Sequence, residues 1–231
     1  MNTPAPLLLG LLLILTNSPL HAADSELSTQ NPSPQIHNSE LRTQNSKPLI
    51  PPLGLPSLPV PITNPLTPEK IELGRRLFFD RRLSPNDTMS CAMCHIPAQG
   101  FTINETRLAV GINGKTTKRN PPTLYNVAYQ RLLFHDGREF TLEDQMISPL
   151  TNPVEMGNPS IGYVVNKIGK LPGYEEQFHH VFGEGVSVET LGKAIASYER
   201  TILSGNSPFD RWYFGKDQTA VSEDVKRGFK L

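Results

Sequence analysis

Only two cysteines and one tryptophan occur among the 231 residues, and aromatic residues make up just 7%. Both cysteines fall in one pentapeptide, so none is left for a disulfide framework or a second pair of metal ligands. So few aromatics make a thin self-sufficient core and leave room for apolar bulk from a bound group. Neither sign of charge is in excess, with 22 Lys+Arg against 22 Asp+Glu. Nothing in that balance argues for nucleic acid or an anionic membrane surface as partner. The longest apolar run, residues 7–15 interrupted only by Gly10, falls short of the roughly 20 residues that cross a bilayer. Strand-type alternation is missing throughout, which leaves a mainly α chain.

What is present centres on Cys91-Ala92-Met93-Cys94-His95. This is Cys-x-x-Cys-His, the attachment sequence of a c-type haem. Residues three and four apart share a helical face, so both thiols reach the two vinyl groups at one porphyrin edge. His95 then projects over the ring as proximal iron ligand. Other readings fit less well. A thioredoxin-like pair would follow an apolar strand, whereas the lead-in from Ser84 to Ser90 is polar and turn-forming. A zinc site needs about four ligands. A bare Cys91–Cys94 disulfide would close a small, strained ring that staples little.

Residues 1–23 read as a secretory signal peptide, with His21-Ala22-Ala23 offering a small-residue cleavage site, although the segment has no Lys or Arg. Export to the periplasm fits haem attachment outside the cytoplasm. Residues 24–65 are rich in Ser, Asn, Gln, Thr and Pro, and SELSTQN at 25–31 recurs as SELRTQN at 39–45. This composition predicts a disordered tether. Order is expected from Thr67-Pro68-Glu69, a capped helix start, with Leu73 and Leu77 on its inner face. Residues 80–122 show no regular period outside the haem turn, as a segment wrapped over a cofactor would. Further helices are predicted from Thr141 to before Pro149, through Val164, Ile168 and Leu171, and through Tyr174, Phe178 and Phe182. Two more follow Ser187, with Leu191, Ile195 and Tyr198 inward, and Ser222.

The functional question is what faces the haem opposite His95. Iron held by one protein ligand can bind peroxide, whereas iron held by two usually only passes electrons. Peroxide cleavage needs a group that takes and returns a proton. Glu143, Asp144, Gln145, Glu155 and His135 are positional candidates, and Met146 and Met156 could instead fill the sixth position. Spacing does not choose among them.

Several ordered blocks add a resemblance. Leu73-Gly74-Arg75-Arg76-Leu77-Phe78-Phe79-Asp80 precedes the pentapeptide. After it come Arg119-Asn120-Pro121-Pro122-Thr123, Asp136-Gly137-Arg138, Leu142-Glu143-Asp144-Gln145, Asn152-Pro153-Val154-Glu155-Met156, and Tyr198-Glu199-Arg200-Thr201 with Ser207-Pro208-Phe209-Asp210-Arg211. Together they resemble the N-terminal haem domain of bacterial di-haem cytochrome c peroxidases, a family that includes the methylamine-utilisation di-haem enzymes. The resemblance implies a cytochrome c-like haem domain over residues 66–231, with long loops wrapped around one covalent haem c. It implies a peroxidase acting on hydrogen peroxide, with electrons from a small periplasmic donor such as a cytochrome c or cupredoxin. Glu155 would be the distal acid/base and Gln145 its pocket neighbour. Asn126 matches a residue that contributes to a calcium site in the family.

Departures from the family pattern set further expectations. The loop Gly111-Ile112-Asn113-Gly114 lacks the His that blocks the peroxidatic iron in members needing reductive activation, so a permanently open sixth position is expected. His135 stands where the family has an inter-haem Trp. Trp212 is expected to pack, and His179 and His180 to lie exposed at a helix end. Family members continue past a sequence like residues 225–231 into a second haem domain, so that domain is expected to be missing or supplied by a second haem-bearing chain or a homodimer. A mono-haem electron carrier, with Met146, Met156 or His135 as sixth ligand, and an inactive fragment are the alternatives.

Overall fold

The computed structural model describes residues 49–231, and the expected signal peptide and the tether up to residue 48 lie outside them. From Leu49 onward the tether expectation is corrected, because residues 49–65 form an ordered strap. The strap is tied down by long-range bonds: the Asn206 N–H donates to the Leu53 carbonyl (2.7 Å) and Tyr129 Oη to the Pro56 carbonyl (2.9 Å). It ends in Asn64, fully buried, whose Nδ2 donates to Glu143 Oε1 (2.8 Å) and the Lys193 carbonyl (3.1 Å). Lys70 Nζ donates to Asn64 Oδ1 at 3.2 Å. Prolines lower the entropy lost on ordering this segment, and the domain satisfies its polar groups. Composition reports the prolines but not the long-range partners.

Helix α1 (Pro68–Phe79) starts where expected, with the Thr67 side chain accepting from the Lys70 N–H at 3.2 Å and Pro68 in the first turn. Helix α2 (Cys91–Cys94) is a single turn, and the surrounding residues 80–122 otherwise hold only short 3-10 turns. The expected helix before Pro149 is instead two pieces, α3 (Leu142–Gln145) and α4 (Ile147–Thr151), with Pro149 inside α4. A proline in the first turn of a helix gives up no intrahelical bond. Next come α5 (Ile161–Gly169), α6 (Tyr174–Phe182) and α7 (Val188–Glu199), the last opened by a Ser187–Thr190 capping box. Helices α8 (Pro208–Tyr213) and α9 (Glu223–Phe229) share an aromatic cluster in which Trp212 packs on Phe209 and Phe229, the packing role expected for it. Among the described residues there is no strand, only three isolated bridges. The fold is mainly α and cytochrome c-like.

The α1–α7 crossing organises the core. A methyl on Gly74 would sit 1.9 Å from the Ala194 carbonyl oxygen, so only glycine lets the two backbones meet. Gly192 likewise faces the Glu143 carbonyl, bringing α3 against α7. Arg200, at the end of α7, donates to both Glu143 oxygens (2.8 and 2.9 Å). With Asn64 it holds the Glu143 carboxyl below the usual range. This bidentate pair joins strap, α3 and α7.

Two apolar clusters result. One gathers Leu73, Leu77, Val164, Ile168, Phe178 and Leu191. The other gathers Phe78, Leu124, Val127, Leu133, Leu142 and Ile202. Cys91 packs against both. Because the crossing joins them, Gly74→Ala is expected to destabilise the holoprotein by about 1–3 kcal/mol, the range for overpacking. Chemical denaturation followed by circular dichroism measures it, and unchanged stability would remove the crossing from its organising role.

Candidate haem site and its distal wall

At the seam of the two clusters lies a cavity of about 580 Å³, lined mostly by apolar groups. That size suits a cofactor, for which pockets of roughly 300–1,000 Å³ are usual. Cys91, Cys94 and His95 all stand in its wall, and both thiols are unpaired. Burial pushes the Cys91 thiol up to about 12 and Cys94 to about 11, with the Glu199 and Glu155 charges adding in the same direction. Redox-active thiols have lowered pKa values, so the thioredoxin-like reading fails here. Neutral thiols facing an apolar cavity suit thioether attachment.

The His95 ring is prepared as a ligand. Its Nδ1 lies 2.9 Å from the Phe101 carbonyl oxygen, which makes Nδ1 the protonated nitrogen and leaves the Nε2 lone pair for a metal. Burial lowers the pKa of the ring and keeps it neutral. The turn after the pentapeptide fixes that carbonyl: Gly100 and Phe101 both adopt positive φ (77° and 56°), and the Phe101 N–H donates to the Ile96 carbonyl at 2.9 Å. A bulky residue at positive φ is strained. Phe101 offsets that strain by packing edge-on against Phe78 and Tyr125. The cavity, the two thiols and the oriented imidazole together fit a covalent haem.

The wall also carries Glu155 and Gln145. Asn152 Nδ2 donates to Glu155 Oε1 at 2.7 Å, and Asn152 Oδ1 accepts from the Val154 N–H, an Asx turn that aims the carboxyl. Behind it, the Ile112 N–H donates to the Glu155 carbonyl (2.8 Å), and a methyl on Gly111 would strike the Val154 carbonyl oxygen. The His-less loop therefore serves as a backing plate. Burial raises the Glu155 pKa, and the Arg138 charge opposes it. Arg138 lies over the Phe134 ring and donates to Asp136 (2.8 Å) and Ser148 Oγ (3.3 Å).

Other positional candidates have other tasks. Glu143 is consumed by Arg200, and Asp144 is exposed and accepts from the Thr141 hydroxyl at 2.6 Å. His135 is exposed at the cavity edge, with Nε2 3.0 Å from the Asn120 carbonyl. Met146 and Met156 are buried and also reach the wall. Asn126 clamps a loop: its amide exchanges two 2.9 Å bonds with the Ser204 backbone. Among the described residues, no three His, Cys, Asp or Glu stand close enough to hold a metal ion. His179 and His180 are exposed at the end of α6, as expected. Sequence reading missed Phe101, Asn152 and Arg138 as site residues. Only Asn152 had a local signal, an Asn-Pro turn opening three residues before the Glu.

The family model described as "Di-haem cytochrome c peroxidase" matches residues 68–218. The chain belongs to the di-haem cytochrome c peroxidase family. It is 44% identical over 177 residues to methylamine utilization protein MauG of Methylorubrum extorquens, covering 76% of this chain and 49% of that one. With the cytochrome c peroxidase Ccp of Escherichia coli it shares 36% identity over 176 residues, 76% of this chain and 37% of that one. Among solved structures it is similar to a MauG-like protein associated with microbial copper homeostasis (TM-score 0.65, 32% identity, 81% of this chain and 54% of that one). The diheme peroxidase BthA from Burkholderia thailandensis gives a TM-score of 0.63 at 31% identity, covering 73% of this chain and 47% of that one. The chain spans 37–54% of the length of these relatives, so membership implies haem c as cofactor without fixing the number of haems. The protein matured with haem is expected to keep its colour through a denaturing gel, and a Cys91→Ala/Cys94→Ala double variant to lose it. A double variant that keeps its haem there would rule out thioether attachment.

Proposed function

We propose that this chain is an exported peroxidase domain in which Glu155 moves the proton at a haem held by Cys91, Cys94 and His95. One observation carries the reading: a half-buried carboxyl, raised in pKa and aimed by Asn152, shares a single cavity with the haem-attachment residues. When bound, haem supplies the iron at which the O–O bond of hydrogen peroxide is reduced. The protein's part is proton management. Glu155 uses one oxygen for Asn152, and the other takes a proton from the near oxygen of peroxide and returns it to the departing one. Gln145, on the same wall, orients peroxide or water by hydrogen bonding. Arg138 limits the rise in the Glu155 pKa, so the carboxyl can act as base first and acid second.

The electrons would come from a small periplasmic protein, and a second haem-bearing chain or domain would relay them. The signal-like composition of residues 1–23 supports a periplasmic location. The loop at Gly111 places no histidine toward the cavity, which supports a sixth position open without reductive activation. A second reading, a mono-haem electron carrier, draws on Met146 and Met156, which reach the same wall.

In purified holoprotein, Glu155→Gln is expected to lower peroxide turnover by about two to four decades. Turnover equal to the parent protein would take Glu155 out of the mechanism. The resting ferric protein is expected to give a high-spin electron paramagnetic resonance spectrum. A low-spin His/Met spectrum that disappears in Met146→Leu or Met156→Leu would establish the carrier instead.

A further inference from the structure

The last turn of α7 carries a carboxyl where its inward face calls for an apolar residue. Leu191, Ile195 and Glu199 follow one another at four-residue spacing along the buried stripe. Glu199 is only 6% exposed and stands with Ile195 in the wall of the haem cavity. Its Oε2 is buried without a hydrogen-bond partner. An anion in that position is strongly disfavoured.

The neighbouring charges relieve it only in part, because Arg200 favours the anion but far less than burial disfavours it. Arg200 is engaged by both oxygens of Glu143, and the negative charge of Glu143 itself opposes ionisation of Glu199. The Cys91 thiol from α2 and the Tyr198 phenol also feel the Glu199 charge, while Arg75 and Glu72 of α1 reach Tyr198 beyond it. His95, Glu155 and Arg138 occupy other parts of the same cavity wall. Burial is the leading influence and pushes the Glu199 carboxyl up to about 8. The group therefore titrates close to neutral pH, where a change in nearby charge alters its protonation. A haem in this cavity changes its net charge by one unit with each electron. The reduced form, one unit less positive, binds a nearby proton more tightly.

We propose that Glu199 is a redox-linked proton carrier, taking up one proton at Oε2 when the haem iron gains an electron and releasing it when the iron is oxidised. The balance is one electron from a small redox protein to the iron and one proton from solvent to the carboxylate, with no other bond made or broken. The proposal needs a haem in the cavity but not peroxide as substrate, so it stands apart from the peroxidase reading.

Electrochemical titration of the purified holoprotein tests it. The parent midpoint potential is expected to fall as pH rises from mildly acidic values toward about 8. Glu199→Gln is expected to lose that slope, and Glu155→Gln to keep it. A Glu199→Gln profile as steep as the parent's would overturn the proposal. Should Glu199→Gln not accumulate with haem, the reduced-minus-oxidised infrared spectrum of Glu155→Gln protein decides. A protonated-carboxyl band that shifts with isotope-labelled glutamate supports the assignment, and no such band overturns it.

Discussion

The structure depends on an apolar core divided in two, with Cys91 packed against both halves and a cavity at the seam. The turn from Cys91 to His95 sits between them because the α1–α7 crossing brings their helical surfaces together, and that crossing rests on Gly74. A cofactor anchored at the seam would touch both clusters. Attachment and folding are therefore parts of one packing problem.

Three glutamates show how burial and partners divide one residue type into three states. Glu143, held by Arg200 and Asn64, is stabilised as an anion and ties the strap to two helices. Glu155, aimed by Asn152 and moderated by Arg138, has a raised pKa in reach of the cavity. Glu199, buried without a hydrogen-bond partner for Oε2, has its pKa raised furthest of the three. Proton chemistry needs groups whose affinities differ in this way. Here the differences come from neighbours distant in sequence.

Much of the fold was legible locally. The Thr67, Ser187 and Ser222 caps act within four residues, so their helices began where sequence placed them. The strap was misread because its order comes from bonds to Asn206, Tyr129, Glu143 and the Lys193 carbonyl, which composition cannot see. Spacing left Glu143 and Asp144 level with Glu155 and only the family resemblance favoured Glu155, whereas the structure assigns the first to Arg200 and the second to Thr141.

Sequence by itself pointed to haem attachment and to the family, because two thiols and an imidazole on one helical turn and an ordered series of motifs are properties of spacing. Tertiary structure alone decided which carboxyls face the cavity, which carbonyl orients His95, and which charges remain uncompensated. Those depend on burial and on contacts across many residues, and a linear chain contains neither until it is folded.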